Sequence, residues 1–339
     1  MKKSGRRISK EAIGLAGGIA LTMSMTTAAL SEQLKLALFV PFKNAYYAQT
    51  IASTQSIVKE AAGTVEVFDA GSDAQQQARQ IQDATVSTRF NAFMIVPFDG
   101  GGVVPFVKAA ADAGIKVAID TTVVGTDLKT EKIQVPGVVS SATNPPYHDG
   151  RSIGENVVEA CKNINPCKAI YLAGKFSFGY DSGVRTGVEE VLKSHPNIKI
   201  VSMVEGNYLA DTAFKTMRDA FLANPDVNVV FSTSDTMIAG AVKAAKASGL
   251  TLGEGGIKLV GNGGSEIAAQ GIKDGTWYSS LIWMPTSSAQ FNIKNLEAAV
   301  NGKPLPGEAA IYTPKALSPV GLFIDKTNVD KFKPEYQGS

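Results

Sequence analysis

The feature of this 339-residue chain that most constrains its fold is a regular alternation of short apolar runs with longer amphipathic runs. Residues 36–40 are continuously apolar, and the stretch 46–61 that follows places its apolar side chains at helical spacing. The same pairing recurs at 65–70, 92–98 and 116–120. Apolar strands joined by helices are typical of a parallel sheet whose two faces are both covered. The sequence therefore predicts a doubly wound, Rossmann-like α/β unit.

The same rhythm continues through the second half of the chain. Strand-like runs stand at 138–142, 168–173, 198–204, 227–232, 258–261 and 278–284, with helical spacing between them. Two such units in tandem predict two lobes that face each other across a crevice and are joined by a multi-strand hinge. We expect the first crossing between lobes around 134–140, which contains Pro136 and Gly137.

Residues 1–31 have the character of a secretory signal peptide. Five lysines and arginines within the first ten residues precede a weakly apolar stretch, which ends in Ala29-Leu30-Ser31, a small-x-small cleavage signal. A membrane anchor is the alternative interpretation, and Arg6-Arg7 leaves the export route open between the general and the twin-arginine pathways. The sequence predicts a soluble periplasmic protein, and its net charge of +2 indicates no nucleic-acid partner.

The chain has two cysteines, Cys161 and Cys167, and two histidines, His148 and His195. In an oxidising compartment the two cysteines can close a local disulfide, and two free thiols are the alternative. Two cysteines and two remote histidines do not form a convincing metal site. We also find no catalytic motif, and the glycine-rich segments lack the spacing of nucleotide-binding loops. The sequence thus predicts a non-enzymatic protein without a cofactor.

An ordered set of strand-end segments resembles the periplasmic solute-binding proteins of ABC importers, in the type I subgroup typified by ribose-binding protein. The resemblance runs over nearly all of 34–300. Its landmarks are ALFV at 37–40 followed by Asn44, Tyr46 and Tyr47; IVPFD at 95–99; VAID at 117–120; GVRTG at 183–187; SDTMIAGA at 234–241; and LVG at 259–261. It implies an N-terminal lobe of residues 32–137 plus 285–312 and a C-terminal lobe of residues 138–284 plus 313–339.

The resemblance also implies a set of ligand-binding residues. Ligands of parallel sheets bind beyond the carboxyl ends of the strands, and the residues expected there are Asn44, Tyr46, Tyr47, Asp120, Thr121, Arg185, Tyr208, Ser234, Asn262 and Trp283. Thr121 stands where the family usually has arginine, and Ser234 where it has asparagine. Gly263 replaces an aspartate, and Trp283 replaces a polar amide. These four differences do not affect the assignment of the fold, but they leave the identity of the ligand open.

The predicted residue types suit a sugar, which has C–H faces and a rim of hydroxyls. Tyr46, Tyr47 and Trp283 would stack on the faces, Asp120 would accept and Arg185 would donate hydrogen bonds. Each also has a structural interpretation: the aromatic residues as core, Asp120 as a turn residue, Arg185 as a surface charge. The aromatic loop Phe176, Phe178 and Tyr180 would either wall the pocket or pack internally.

The predicted function is that of a periplasmic receptor that binds a monosaccharide or a related small polar solute and delivers it to a membrane permease. Closure of the lobes on the ligand would present a continuous surface to that partner. Two alternatives remain open: a sensory protein that reports to a chemoreceptor or signalling system, and a receptor for a non-sugar solute such as a polyol, a nucleoside or an amino-acid derivative.

Overall fold

The structure, a computed structural model, describes residues 31–338, and the predicted signal peptide lies outside this range apart from Ser31. Residues 32–339 form one compact unit. In chain order the elements are β1 (Lys35–Val40), α1 (Ala45–Glu60), β2 (Thr64–Asp69), α2 (Ala74–Val86), β3 (Ala92–Ile95), α3 (Val104–Asp112), β4 (Lys116–Thr121), β5 (Val138–Thr143), α4 (Pro146–Ala160), β6 (Cys167–Ala173), α5 (Gly179–Leu192), β7 (Ile198–Glu205), α6 (Ala210–Ala223), β8 (Val229–Ser232), α7 (Asp235–Ala247), β9 (Lys258–Gly263), α8 (Glu266–Lys273), β10 (Ser279–Ile282), α9 (Pro285–Val300), β11 (Ala310–Tyr312), α10 (Thr313–Leu317) and β12 (Phe323–Asp325), followed by a short 3-10 turn at Val329–Lys331.

The first lobe is built on a six-stranded parallel sheet with the order β11-β5-β4-β3-β1-β2. One face of the sheet packs on α2 and α3, where Phe39 meets Ile81 and Val107. The opposite face packs on α1 and α9, through side chains such as Val58 and Ile293. The central strands are buried on both faces, which explains why they read as continuous apolar runs in the sequence.

The second lobe repeats this arrangement with a sheet of the order β12-β10-β9-β8-β6-β7. Its strands are parallel except β12, which runs antiparallel to β10. Tyr171 and Phe231 stack at its centre with ring centroids 5.0 Å apart. The two-lobe α/β architecture predicted from the sequence is confirmed.

The first crossing between the lobes lies later in the chain than the sequence predicts. The sequence predicts that the strand beginning at Val138 belongs to the second lobe, but it pairs with β4, with Asp120 opposite Ala142. The chain therefore leaves the first sheet after Thr143, at Asn144. It returns through α9 and β11, which pairs with β5, and passes back to the second sheet at β12. The sequence of this strand, VVSSAT, does not specify which sheet it joins, because the side chains that would pair with it lie elsewhere in the chain.

A disulfide joins Cys161, at the end of α4, to Cys167, at the start of β6. Across residues 31–338 no helix has both the length and the apolar character needed to cross a membrane.

Candidate functional site

The candidate site is a cavity between the strand ends of the two lobes. It holds about 450 Å³ of space, its open mouth included. The loops after β1 and β4 contribute from the first lobe, and the strand ends of β6 to β9 contribute from the second. The fourteen lining residues are Phe42, Asn44, Tyr46, Tyr47, Thr121, Thr122, Phe178, Tyr180, Tyr208, Thr233, Ser234, Asn262, Trp283 and Tyr336. Eight of them are aromatic, and none carries a charged side chain.

Two tyrosines enter the cavity because of the way α1 begins. Asn44 caps this helix, and its side chain accepts a hydrogen bond from the backbone N–H of Tyr47 at 2.8 Å. The cap places Tyr46 and Tyr47 in the first turn, at the lip of the crevice. The ring of Tyr46 then meets Trp283 and Tyr336 edge to face, with centroids 5.0 and 5.5 Å away. Aromatic side chains from three distant parts of the chain thus form one wall.

A buried carboxylate, Asp149, links the two lobes beside the cavity. Its oxygens accept hydrogen bonds from Tyr180 at 2.6 Å and from Tyr312 at 2.8 Å. Tyr180 belongs to the second lobe, whereas Tyr312 ends β11 of the first. Burial raises the pKa of Asp149 to about 7, although these hydrogen bonds act in the opposite direction. The Asp149 carboxylate therefore lies in a costly environment for a negative charge.

A second buried carboxylate, Asp181, lies behind Tyr208, which lines the cavity. It accepts hydrogen bonds from the hydroxyls of Tyr208 at 2.6 Å and Thr233 at 2.8 Å, and from the N–H groups of Gly174 and Lys175. Tyr208 has a φ of 58°, which an L-residue rarely adopts, so its position depends on these bonds. Burial raises the pKa of Asp181 to about 6.

A third buried carboxylate, Asp120, lies behind Thr121 rather than at the cavity surface. The Thr121 hydroxyl donates to it at 2.7 Å, and the Asn292 amide donates at 2.9 Å. Thr121 also adopts a φ of 70°, and the hydroxyl of Tyr46 lies 3.4 Å from its own. Burial raises the pKa of Asp120 to about 6. Asp120 therefore orients Thr121, which faces the cavity.

Two buried polar atoms at the cavity lack a hydrogen-bond partner in the protein. They are the indole N–H of Trp283, a donor, and the side-chain oxygen of Asn262, an acceptor. The Asn262 amide group is used, since it donates to the Tyr180 hydroxyl at 2.8 Å. The Trp283 N–H lies on the side of Asp149 and lowers its pKa without reaching hydrogen-bond geometry. Buried polar groups are normally satisfied, so the Asn262 oxygen is available to bind a ligand, whereas the Trp283 N–H is directed toward Asp149.

The structure brings eight of the ten predicted residues to the cavity: Asn44, Tyr46, Tyr47, Thr121, Tyr208, Ser234, Asn262 and Trp283. Asp120 lies one layer behind. Arg185 does not reach the site: its side chain is 48% exposed and pairs with Glu189 at 2.7 Å along α5. Val184 and Val188 occupy the inward face of that helix, so Arg185 is turned to the surface.

Several cavity residues were not predicted. The sequence leaves open whether Phe178 and Tyr180 wall the pocket or pack internally, while Phe42, Thr122 and Thr233 adjoin predicted positions. Tyr336 comes from the C-terminal segment, and no sequence signal indicates that this segment reaches the cavity. Asp149 and Asp181 were likewise missed, although both follow strand ends.

Among residues 31–338 no group of three histidine, cysteine or acidic side chains is placed to hold a metal ion. Asp235, the fourth buried aspartate near the cavity, accepts hydrogen bonds from Ser265 and Ser280, and supports the start of α8.

The chain matches the model of the family described as periplasmic binding protein domain over residues 36–304. It is 26% identical to a D-ribose/D-allose-binding protein of Pseudomonas aeruginosa over 86% of this chain and 90% of the relative. It is 23% identical to a xylitol-binding protein of Mycolicibacterium smegmatis, with 94% and 86% covered.

Solved structures share the fold. A galactofuranose binding protein superposes with a TM-score of 0.73 at 19% identity, covering 88% of this chain and 96% of its own. A Caulobacter myo-inositol binding protein, solved with myo-inositol bound, superposes with a TM-score of 0.73 at 16% identity, covering 89% and 96%. All four proteins are named for binding, and none for catalysis.

Proposed function

The chain belongs to the periplasmic binding protein domain family, and from that premise we propose that it is the solute receptor of an ABC importer. It works in the periplasm, binds a monosaccharide or a related small polar solute in the cavity between its lobes, and delivers this solute to a membrane permease. The relatives named for D-ribose, D-allose and xylitol support this size and polarity of ligand. The signal-peptide pattern of residues 1–31 supports export.

The observation that carries the proposal is a cavity to which both lobes contribute. Tyr46, Tyr47 and Thr121 stand on the first lobe, and Tyr208 and Asn262 face them from the second. A solute that contacts both sets binds the closed arrangement more tightly than any open one, so its binding shifts the population toward closure. The permease can then bind the surface that the closed lobes form.

We assign the cavity residues by their chemistry. The rings of Tyr46, Tyr47 and Trp283 cover the apolar faces of the solute. Asn44, Thr121, Ser234 and Asn262 exchange hydrogen bonds with its polar groups. The carboxylates behind them orient the tyrosine and threonine side chains. Tyr208 belongs with the aromatic set, while Arg185 has no role in binding.

The direct test is a thermal-shift panel of pentoses, hexoses and polyols on the purified protein. A ligand that binds the folded protein and not the unfolded chain raises the unfolding free energy by roughly 3 kcal/mol when its concentration is a hundred times its Kd, and a melting curve resolves this change. We expect a stereochemically restricted subset of the panel to raise the midpoint. A melting midpoint unmoved by every sugar and polyol would remove the sugar assignment.

The location of the site is tested with the two tryptophans of the chain. Trp283 lines the cavity, whereas Trp277 packs against Gly271 in the second lobe. We expect Trp283→Phe to lose the fluorescence change that ligand produces, and Trp277→Phe to keep it. The opposite pattern would place the ligand elsewhere.

A further inference from the structure

The cavity has an aromatic lining without a positive charge. Eight of its fourteen lining residues are aromatic, and the other six are neutral polar residues. The two arginines expected from the family are missing from it, because position 121 is threonine and Arg185 pairs with Glu189 on the surface. Lys175 lines a separate outer depression, on the other side of Phe178 and Tyr208.

Three buried carboxylates nevertheless remain directly behind this lining. Asp149 accepts a hydrogen bond from the hydroxyl of Tyr180, and Asp181 accepts one from the hydroxyl of Tyr208, each with an oxygen–oxygen distance of 2.6 Å. Asp120 lies behind Thr121 at 2.7 Å. Each is at most 1% exposed. None of the ion pairs of residues 31–338 involves any of the three.

Buried carboxylates without a counter-charge are unfavourable, and proteins normally pair them. The groups that face them are neutral donors. Asp149 is surrounded by Tyr180, Tyr312, Asn144 and the Trp283 N–H, and Asp181 by Tyr208, Tyr171, Thr233 and the backbone N–H groups of Gly174 and Lys175. Asp120 is surrounded by Thr121, Ser288, Asn292 and the more distant Tyr46 and Tyr47. The surrounding protein therefore leaves negative potential in a cavity that is walled by aromatic ring faces. Ring faces attract cations as well.

We infer that the solute bound in this cavity carries the missing positive charge: it is a hydroxylated organic cation of sugar or polyol size, with an ammonium group held by the aromatic wall. This inference rests on the proposed function and narrows its ligand class. The unpartnered oxygen of Asn262 accepts from the ammonium or from a hydroxyl. The neutral polar side chains of the lining, such as Thr121 and Ser234, are the reason for expecting hydroxyl groups beside the charge.

The experiment compares matched probes that differ in charge, by calorimetric titration of the full-length purified chain. N-methyl-D-glucamine is paired with D-sorbitol, and choline with its uncharged carbon isostere dimethylbutanol. We expect the charged member to bind about tenfold or more tightly than the neutral member in at least one pair. Choline does not titrate, so its affinity should increase from pH 6 to pH 8 as the carboxylates ionise.

A charge-removing variant and a surface control show whether the selectivity comes from the buried carboxylates. Asp149→Asn should reduce the charged-to-neutral affinity ratio about threefold or more. Asp226→Asn removes an exposed carboxylate that pairs with Lys168, and should leave the ratio unchanged. Melting curves of both variants establish that they fold. An equal loss of ratio in both variants would assign the selectivity to general surface charge and overturn the inference.

The remaining outcomes separate the inference from the proposed function. If neutral sugars or polyols bind and no ammonium probe does, the cationic ligand class is wrong and the receptor for a neutral solute stands. If no ammonium probe binds, the inference is overturned whatever the sugar panel shows. If ammonium probes bind but Trp283→Phe leaves their binding and fluorescence response intact, the site itself is mislocated and both proposals fall.

Discussion

Replacing Asp149 by asparagine removes a buried charge while nearly preserving shape, and its effect on stability should depend strongly on pH. The pKa of Asp149 in the folded protein is about 7, raised by burial, against an ordinary value of 3.8. The Asp149 carboxyl therefore ionises at a lower pH in the unfolded chain than in the folded protein. Stability from this group is fully present below 3.8 and is lost as pH rises to about 7.

The magnitude follows from the pKa difference. Each pKa unit corresponds to about 1.4 kcal/mol, so the raised pKa lowers the unfolding free energy, relative to its value at low pH, by about 4 kcal/mol at pH 8 and by about 2 kcal/mol at pH 5. Asparagine avoids this cost, but its amide group is a poor partner for Tyr180 or Tyr312, at about 1–2 kcal/mol. We expect Asp149→Asn to unfold with a free energy about 2 kcal/mol higher than the parent at pH 8 and about equal to it at pH 5.

The assay is urea unfolding of the ligand-free parent and variant at several pH values between 5 and 8. Asp226→Asn is the control, because Asp226 is exposed and Lys168 holds its pKa below the ordinary range. The difference in unfolding free energy between Asp226→Asn and the parent should stay constant over this pH range. Parallel stability curves for Asp149→Asn and the parent would show that Asp149 titrates as an ordinary carboxyl, and would refute the argument for an uncompensated charge.

Three further predictions concern single contacts. An alanine Cβ at Gly174 would lie 2.0 Å from the ring of Tyr208, which is a strain of about 1–3 kcal/mol, so Gly174→Ala should weaken ligand binding measured by titration about tenfold or more. Gly179→Ala is the control, because its Cβ would have no atom within 4 Å, and it should bind the ligand normally. Equal affinities of the two variants would contradict this prediction. Arg185→Ala should leave affinity unchanged and cost about 0.5 kcal/mol or less in thermal unfolding, since its pair is exposed; a large loss of affinity would restore it to the site. Glu335→Ala removes the acceptor of two N–H groups that begin α9, at 2.7 and 3.0 Å, and should lower the unfolding free energy by about 1 kcal/mol; unchanged stability would mean that water replaces it.

Strand-end reasoning predicted which segments meet at the cavity, and it was less successful in predicting which side chains line it. Tyr46 and Tyr47 follow β1 of the first sheet, and Ser234 and Asn262 lie at the strand ends of the second sheet. Parallel strands bring their carboxyl ends to one edge of each sheet, so the meeting of these residues was predictable once two such edges were expected to face each other. Arg185 does not reach the cavity because its neighbours Val184 and Val188 take the inward face of α5, and its role in binding stays a prediction. An alignment by motif does not specify which side of a helix turns inward.

The sequence by itself determined the alternation of apolar strands and amphipathic helices, and with it two covered parallel sheets, since burial on both faces demands continuous apolar runs. Tertiary structure alone decided that β5 joins the first sheet, that Tyr336 reaches the cavity, and that Asp120, Asp149 and Asp181 are buried without a cation. The physical reason is that periodicity reports local burial, which adjacent residues share. The partner of a strand and the charge around a carboxylate depend on residues that are distant in the chain and meet only after folding.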